Sequence, residues 1–286
     1  MRRGARSALA LAVSAAVIGG GIWGVQRYIH ESQALVVVQC ATTVGSVKHT
    51  LDPEQAGNAA TISAVAVGRE LPARATSIAL ATAYQESKLR NLDYGDTAGP
   101  DSRGLFQQRP SQGWGTQAQV MDPVYAAGAF FDELVTFDYQ NMTVTQAAQK
   151  VQRSAFPEAY ADHEDLGRSF ASALTGQSPS ALTCALRRTT AAGRAAAVAK
   201  RIDAEYGAST FAPRAAGDIV TTSVKDSEQG WALAQWAVAH AQEDSTVSVS
   251  YAGLTWTREK GAWERGEGQD GAGTVAIQVA TDAGQG

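Results

Sequence analysis

The chain is poor in the residues from which metal centres and thiol sites are built: four histidines and two cysteines in 286 residues. His30, His49, His163 and His240 are scattered without metal-ligand spacing, and His163-Glu164-Asp165 reads as a solvated helix face. Neither Cys40 nor Cys184 lies in a nucleophile motif, and no glycine-rich stretch has the strand-to-helix setting of a phosphate loop. No metal and no cofactor are therefore expected. A basic excess is missing too. With 24 Lys and Arg against 28 Asp and Glu, a net charge of −4 gives no electrostatic reason to hold a polyanion, which excludes nucleic acid as the expected partner. Charged residues make up only 18% against 44% hydrophobic, a balance that lets a chain of this length bury a core in one or two domains. No internal repeat is present.

What is there begins at the N-terminus. Arg2, Arg3 and Arg6 precede an uncharged run from Ser7 to Gln26, closed by Arg27. A bilayer core needs roughly 20 helical residues, so the run is long enough for one span, and the arginines ahead of it favour a cytoplasmic N-terminus. Two readings stand. A signal anchor would leave the remainder outside the cell and tethered to the membrane; a cleaved signal peptide would release it as a secreted protein. The lack of a clean small-x-small site before Trp23 favours the anchor. An exported chain with two cysteines then suggests a Cys40–Cys184 disulfide, against the alternative of two buried thiols.

The rest divides by pattern. Asp52-Pro53-Glu54-Gln55 carries cap, first-turn proline and acid for a helix reaching about Arg69. Further helices are expected over Pro72–Leu89, from Asp122-Pro123 through Val135, from Thr143–Thr145 to about Ser154, from Pro157 towards Leu174, and over 185–206. Residues 34–39 read as a strand-like or linker stretch. Between the second and third helices, residues 90–121 form a long loop rich in Gly, Asp, Pro and Ser, of the kind that shapes a substrate groove. Helical spacing over Glu228–Gln242, alternation at Val247, Val249 and Tyr251, a turn into Leu254–Thr257, and Val275, Ile277 and Val279 suggest a helix with three strands. The expected fold class is mainly α: an N-terminal segment (1–39), a helical domain (40–206), a linker (207–227) and a small α+β module (228–286). Trp231, Trp236, Trp256 and Trp263 in that module read as core or as a surface for a protein partner.

One carboxyl group stands out. Glu86 follows the run Ile78–Tyr84, which carries no charge until Glu86 itself. Cleaving a glycosidic bond requires a proton on the leaving oxygen, and a glutamic acid holds one near neutral pH only where its surroundings penalise the ionised form.

Glu86-Ser87, followed by Gly104-Leu105-Phe106-Gln107, resembles the lysozyme-like superfamily, in its soluble lytic transglycosylase and goose-type lysozyme branch; Gln107 to Gly115 is similar to exported actinobacterial members. The likeness covers about residues 55–175. It implies a helical lysozyme-like domain that cuts peptidoglycan between N-acetylmuramic acid and N-acetylglucosamine, with Glu86 as general acid/base. Ser87, Gln107 and Gln108 would position the acid or bind the N-acetyl group. Phe106, Trp114 and Tyr160 would supply aromatic surface, although Trp114 and Tyr160 read more readily as core. The family's aromatic-Asn motif is absent. Ala147 to Ser154 stands in its place, with Gln152 or Gln149 as the substitute amide and Gln152 preferred.

A two-carboxylate hydrolase needs a second acid. Asp93, Asp96 and Asp101 are available in the loop, although aspartates there commonly serve turns. Without one facing Glu86, the lytic transglycosylase route is expected. The rival expectation is a weakly active or inactive glycan-binding scaffold of the cell envelope or a secretion apparatus.

Overall fold

Cys40 and Cys184 face each other across two antiparallel strands, β1 (Gln39–Val44) and β3 (Leu182–Ala185), and are joined by a disulfide. Both are fully buried. With β2 (Val47–Leu51) they form a three-stranded sheet of order β2-β1-β3 that closes the two ends of the helical region together. The computed structural model describes residues 36–97, 99–153, 160–266 and 273–281. The run 7–26, expected to enter a membrane, lies outside these, and no helix among the described residues is long and apolar enough to cross one.

The helices begin where the caps require. In α1 (Pro53–Gly68), Gln55 N–H donates to Asp52 Oδ1 at 3.0 Å and Asp52 N–H donates back to Gln55 Oε1 at 2.9 Å, a reciprocal capping box behind a first-turn proline. α2 (Ala73–Ser87) follows, then the short α3 (Gln117–Val120). Asp122 caps α4 (Pro123–Leu134), and the Thr143/Gln146 pair caps α5 (Val144–Gln152). α6 (Glu164–Leu174) packs along α2, and α1 is buried between α4 on one side and the C-terminal elements on another.

Beyond β3 come α7 (Ala195–Tyr206), β4 (Arg214–Ala216), β5 (Ile219–Ser223), α8 (Ser227–Ala239), the one-turn α9 (Ala241–Asp244) and strands β6 (Thr246–Tyr251), β7 (Leu254–Thr257), β8 (Ala262–Arg265) and β9 (Thr274–Val279). Six of these strands make an antiparallel sheet of order β4-β5-β9-β6-β7-β8. The expected mainly α class is overturned: the protein is α+β, 45% helix and 20% strand, with two antiparallel sheets. Two features account for the difference. Residues 207–227, read as a linker, carry β4 and β5, and β5 pairs with β9 inside the larger sheet. Segments such as Leu182–Ala185 are too short to display an alternation.

The residues from Val38 onward form one compact unit. Its joint is Gln235 in α8, fully buried, whose Oε1 accepts from Leu182 N–H at 2.7 Å while Nε2 donates to Ala173 O at 2.7 Å and Ser178 O at 3.1 Å. One side chain thus ties α8 to β3 and to the end of α6. The four C-terminal tryptophans are inward: Trp236 and Trp256 are fully buried, and Trp231 packs edge-on against both Tyr251 and Trp263.

Candidate active site

α2 ends at Ser87, one residue beyond Glu86. Lys88 and Leu89 both adopt left-handed backbone (φ 55° and 57°), with Lys88 N–H donating to Tyr84 O and Leu89 N–H to Ala83 O. That turn satisfies the last helical carbonyls and sends the chain back across the helix end. The loop 90–121 is held against it. Leu92 pairs with Gly104 and Arg103 with Gln108, as isolated antiparallel bridges, and Ser87 Oγ lies 2.7 Å from Leu105 O and 3.0 Å from Ala83 O, to which it donates.

Gly104 has to be glycine at this crossing. Its φ is +76°, and a Cβ there would stand 2.1 Å from Val120 O. Gln107 also takes positive φ (48°), with its amide donating to Gly104 O at 3.2 Å.

Glu86 is half-buried at the centre of this arrangement. The Tyr160 hydroxyl donates to its Oε1 at 2.7 Å, and Gln152 hydrogen-bonds to the same carboxyl while donating from Nε2 to Phe106 O at 2.8 Å. Burial raises its pKa above the ordinary carboxylate value; Tyr160 and Gln152, which favour the ionised form, offset this in part, and the negative charge of Asp96 adds to the rise. The net shift is upward, as proton donation to a sugar oxygen requires.

The expected ligand set separates into two groups. Glu86, Gln152 and Tyr160 meet at one point, whereas Gln107 is half-buried with its amide turned to Gly104 O in its own loop. Ser87, Phe106 and Gln108 turn inward. Phe106 is fully buried and stacked on Phe130 with ring centroids 4.7 Å apart, while Gln108 is 2% exposed and donates to Ala126 O at 3.0 Å. These three offer no open surface to a sugar; they fix the backbone around the acid. Tyr160, 1% exposed, presents only its hydroxyl to Glu86. Trp114 is half-buried and lines a cleft of about 310 Å³ with Tyr125, Asp132, Glu133, Gln152 and Arg153. Gln152 therefore belongs both to the carboxyl site and to an open groove.

Of the three aspartates, Asp96 is the one whose charge Glu86 feels. Asp101 braces the loop, accepting from Arg109 Nε and Ser111 N–H at 3.0 Å each, and hydrogen bonds from Ser111 followed by Arg109 hold its carboxyl well below the usual range. Asp93 is exposed.

His163 is the residue that the sequence reading missed. Rather than joining a solvated face, it sits half-buried against α2, with Nε2 at 2.8 Å from Gln85 Oε1 and 3.4 Å from Lys88 Nζ, and its ring edge-on to Tyr84. Burial, then the Lys88 charge, lowers its pKa. The only sequence signal is its spacing three residues beyond Tyr160, which puts both on the turn that covers the end of α2. Among the described residues no group of three or more His, Cys, Asp or Glu side chains is arranged to hold a metal ion.

No protein-family model matches the chain, and no curated protein matches it. The functional argument therefore rests on the site itself.

Proposed function

We propose that this protein is an exported enzyme that cleaves the β-1,4 bond between N-acetylmuramic acid and N-acetylglucosamine in peptidoglycan, with Glu86 as its single general acid/base. The observation that carries the proposal is the half-buried Glu86 carboxyl, raised in pKa and gripped by Tyr160 and by Gln152, the second of which also lines an open cleft. With Oε1 occupied by the Tyr160 hydroxyl, a proton on Oε2 is presented to the glycosidic oxygen. As the C–O bond breaks, that proton passes to the leaving sugar, and the carboxylate left behind is stabilised by the Tyr160 O–H and the Gln152 N–H.

The second half of the reaction favours the lytic transglycosylase route. Glu86 is the carboxyl held by the Tyr160–Gln152 pair; Asp101 is occupied by Arg109 and Ser111, and Asp96, whose charge reaches Glu86, is an exposed turn residue that accepts from Gly99 N–H at 2.7 Å. The carboxylate then takes the proton from a hydroxyl of the same sugar as that oxygen closes on the anomeric carbon, giving an anhydro end. Export is supported by the buried Cys40–Cys184 disulfide, a bond that persists in oxidising compartments, and the segment 7–26 is proposed as the membrane tether.

Digestion of purified cell wall by the full chain, followed by mass analysis of the muropeptides, tests the proposal. Anhydro ends are expected, and Glu86→Gln abolishes their release while the strands still bind. Folding separates loss of chemistry from loss of structure. A carboxyl whose folded pKa is raised above its unfolded value costs the folded state stability once it ionises, so Glu86→Gln is at least as stable as the parent at neutral pH. Water-added ends would replace the transglycosylase route by hydrolysis. A parent protein that binds wall yet releases nothing would refute the enzyme and favour a glycan-binding scaffold.

A further inference from the structure

The chain segment that carries Tyr160 meets the end of α2 twice. Tyr160 donates from its hydroxyl to Glu86 Oε1 at 2.7 Å, and His163 Nε2 lies 2.8 Å from Oε1 of Gln85, the residue before the acid. One short turn, Ala161–His163, separates the two contacts, and His163 N–H closes it by donating to Tyr160 O at 3.2 Å. Successive residues of a helix point about 100° apart, so the turn grips α2 from two sides rather than one.

His163 also stands immediately before α6, where a side chain is ordinarily spent on the first free N–H groups, yet it makes no such bond. Its ring lies edge-on to Tyr84 instead, with centroids 4.8 Å apart, and reaches across to α2. Lys88 Nζ is 4.7 Å from the centre of the same Tyr84 ring and 3.4 Å from His163 Nε2. Gln85 Oε1 can only accept and the ammonium can only donate, so the shorter contact places the proton of the neutral imidazole on Nε2. A second proton is disfavoured by burial and then by Lys88, which outweigh the attraction of Asp162 and keep the ring uncharged at neutral pH. Both side chains on the Glu86 carboxyl thus have a further tie. Gln152 is held by Phe106 O at 2.8 Å, and Tyr160 is held through its turn by Gln85.

We infer that His163 is a positioning residue: its N–H on Gln85 locks the 160–163 turn against α2 and keeps the Tyr160 hydroxyl on Glu86. It acts through Tyr160 and not on the carboxyl itself. The inference rests on Glu86 as the proposed acid.

The test is a pH titration of the full chain, with the Glu86 carboxyl followed by carbon NMR and muropeptide release measured alongside. His163→Leu keeps an apolar side chain against Tyr84 and loses the N–H. Its Glu86 carboxyl should titrate at higher pH, by a shift comparable to that of Tyr160→Phe, and release should slow by roughly tenfold. Added to Tyr160→Phe, the same substitution should change neither quantity further, because the hydroxyl it positions is already gone. His163→Gln, whose amide N–H reaches the same acceptor, should titrate like the parent. Gln85→Ala removes the acceptor from α2, where alanine is the better helix former, and should reproduce the shift even if His163→Leu fails to fold. A Glu86 titration unmoved by the loss of either partner, or a His163→Leu effect of equal size with and without the Tyr160 hydroxyl, would overturn the inference. The titration needs no turnover, so a parent protein that releases no muropeptide would refute the Glu86 reaction and leave the His163 result to stand or fall by itself.

Discussion

Ser87 Oγ lies 2.7 Å from the carbonyl oxygen of Leu105, so the residue next to the proposed acid is the one that clamps the loop to the helix end. The hydroxyl is buried and shares its single proton between Leu105 and Ala83. Ser87→Ala leaves the Leu105 carbonyl without its partner, and a buried group stranded in this way costs about 1–3 kcal/mol. A lowered urea midpoint is expected, together with a fall in muropeptide release larger than stability alone explains. Unchanged release at full folding would show that the clamp does not position Glu86.

Tyr160 and Gln152 both favour the ionised form of Glu86, so removing either raises the pKa further. In Tyr160→Phe and Gln152→Leu, the alkaline limb of the pH–rate profile should move to higher pH while the maximal rate falls by about tenfold or more, because the carboxylate formed on proton transfer loses a donor. A downward move of that limb would contradict the assignment of Glu86 as the acid.

The cluster around His240 predicts how stability varies with pH. The folded pKa of His240 is about 9 against an ordinary 6.5, so its contribution is complete below pH 6.5 and is lost as the pH rises through 9. Glu243 runs the other way. The His240 ring, and then Arg201, hold its carboxyl at about 2 against an ordinary 4.5, so its contribution is complete above pH 4.5 and is lost on acidification towards 2. The melting temperature should therefore be highest between these ordinary values and should fall on both sides. His240→Gln should flatten the alkaline decline, since Glu205, Glu243, Asp244 and Arg201 then face a group that does not titrate.

Gly104→Ala tests the crossing of the loop over α3. Left-handed backbone costs alanine about 1–2 kcal/mol, and the added methyl would meet Val120 O at 2.1 Å, so a loss above about 2 kcal/mol in urea unfolding is expected. Activity should fall as well, since Leu105 and Phe106 present the carbonyls that Ser87 and Gln152 hold.

Much of the helical half was readable because its signals are local. Asp52-Pro53, Asp122-Pro123 and Thr143 announce helix starts through hydrogen bonds within four residues, and all three cap as the sequence suggests. The small sheet was not readable. β3 is four residues long, and its place is set by pairing with β1 far away in the sequence, which no local pattern records. Residues 207–227 look like a linker because β4 is only Arg-Ala-Ala and is exposed throughout, yet β5 next to it is held by β9. At the site, Glu86 stood out as the first charge after an apolar run, whereas Gln152 and Tyr160 are named only through the family likeness. That Phe106 and Gln108 turn inward could not be read, because the direction of a side chain in a loop depends on the helix it meets, here α4.

Gln235 has a consequence for anyone dividing this protein. Its one amide serves the Leu182 N–H, the Ala173 carbonyl and the Ser178 carbonyl, all contributed by the half that carries Glu86. A truncation after residue 206 would strip all three of their partner at once and uncover the wall on which β3 lies, so the glutamate-bearing half is not a portable cassette. Fusions and homologous swaps have to carry the C-terminal sheet along with it.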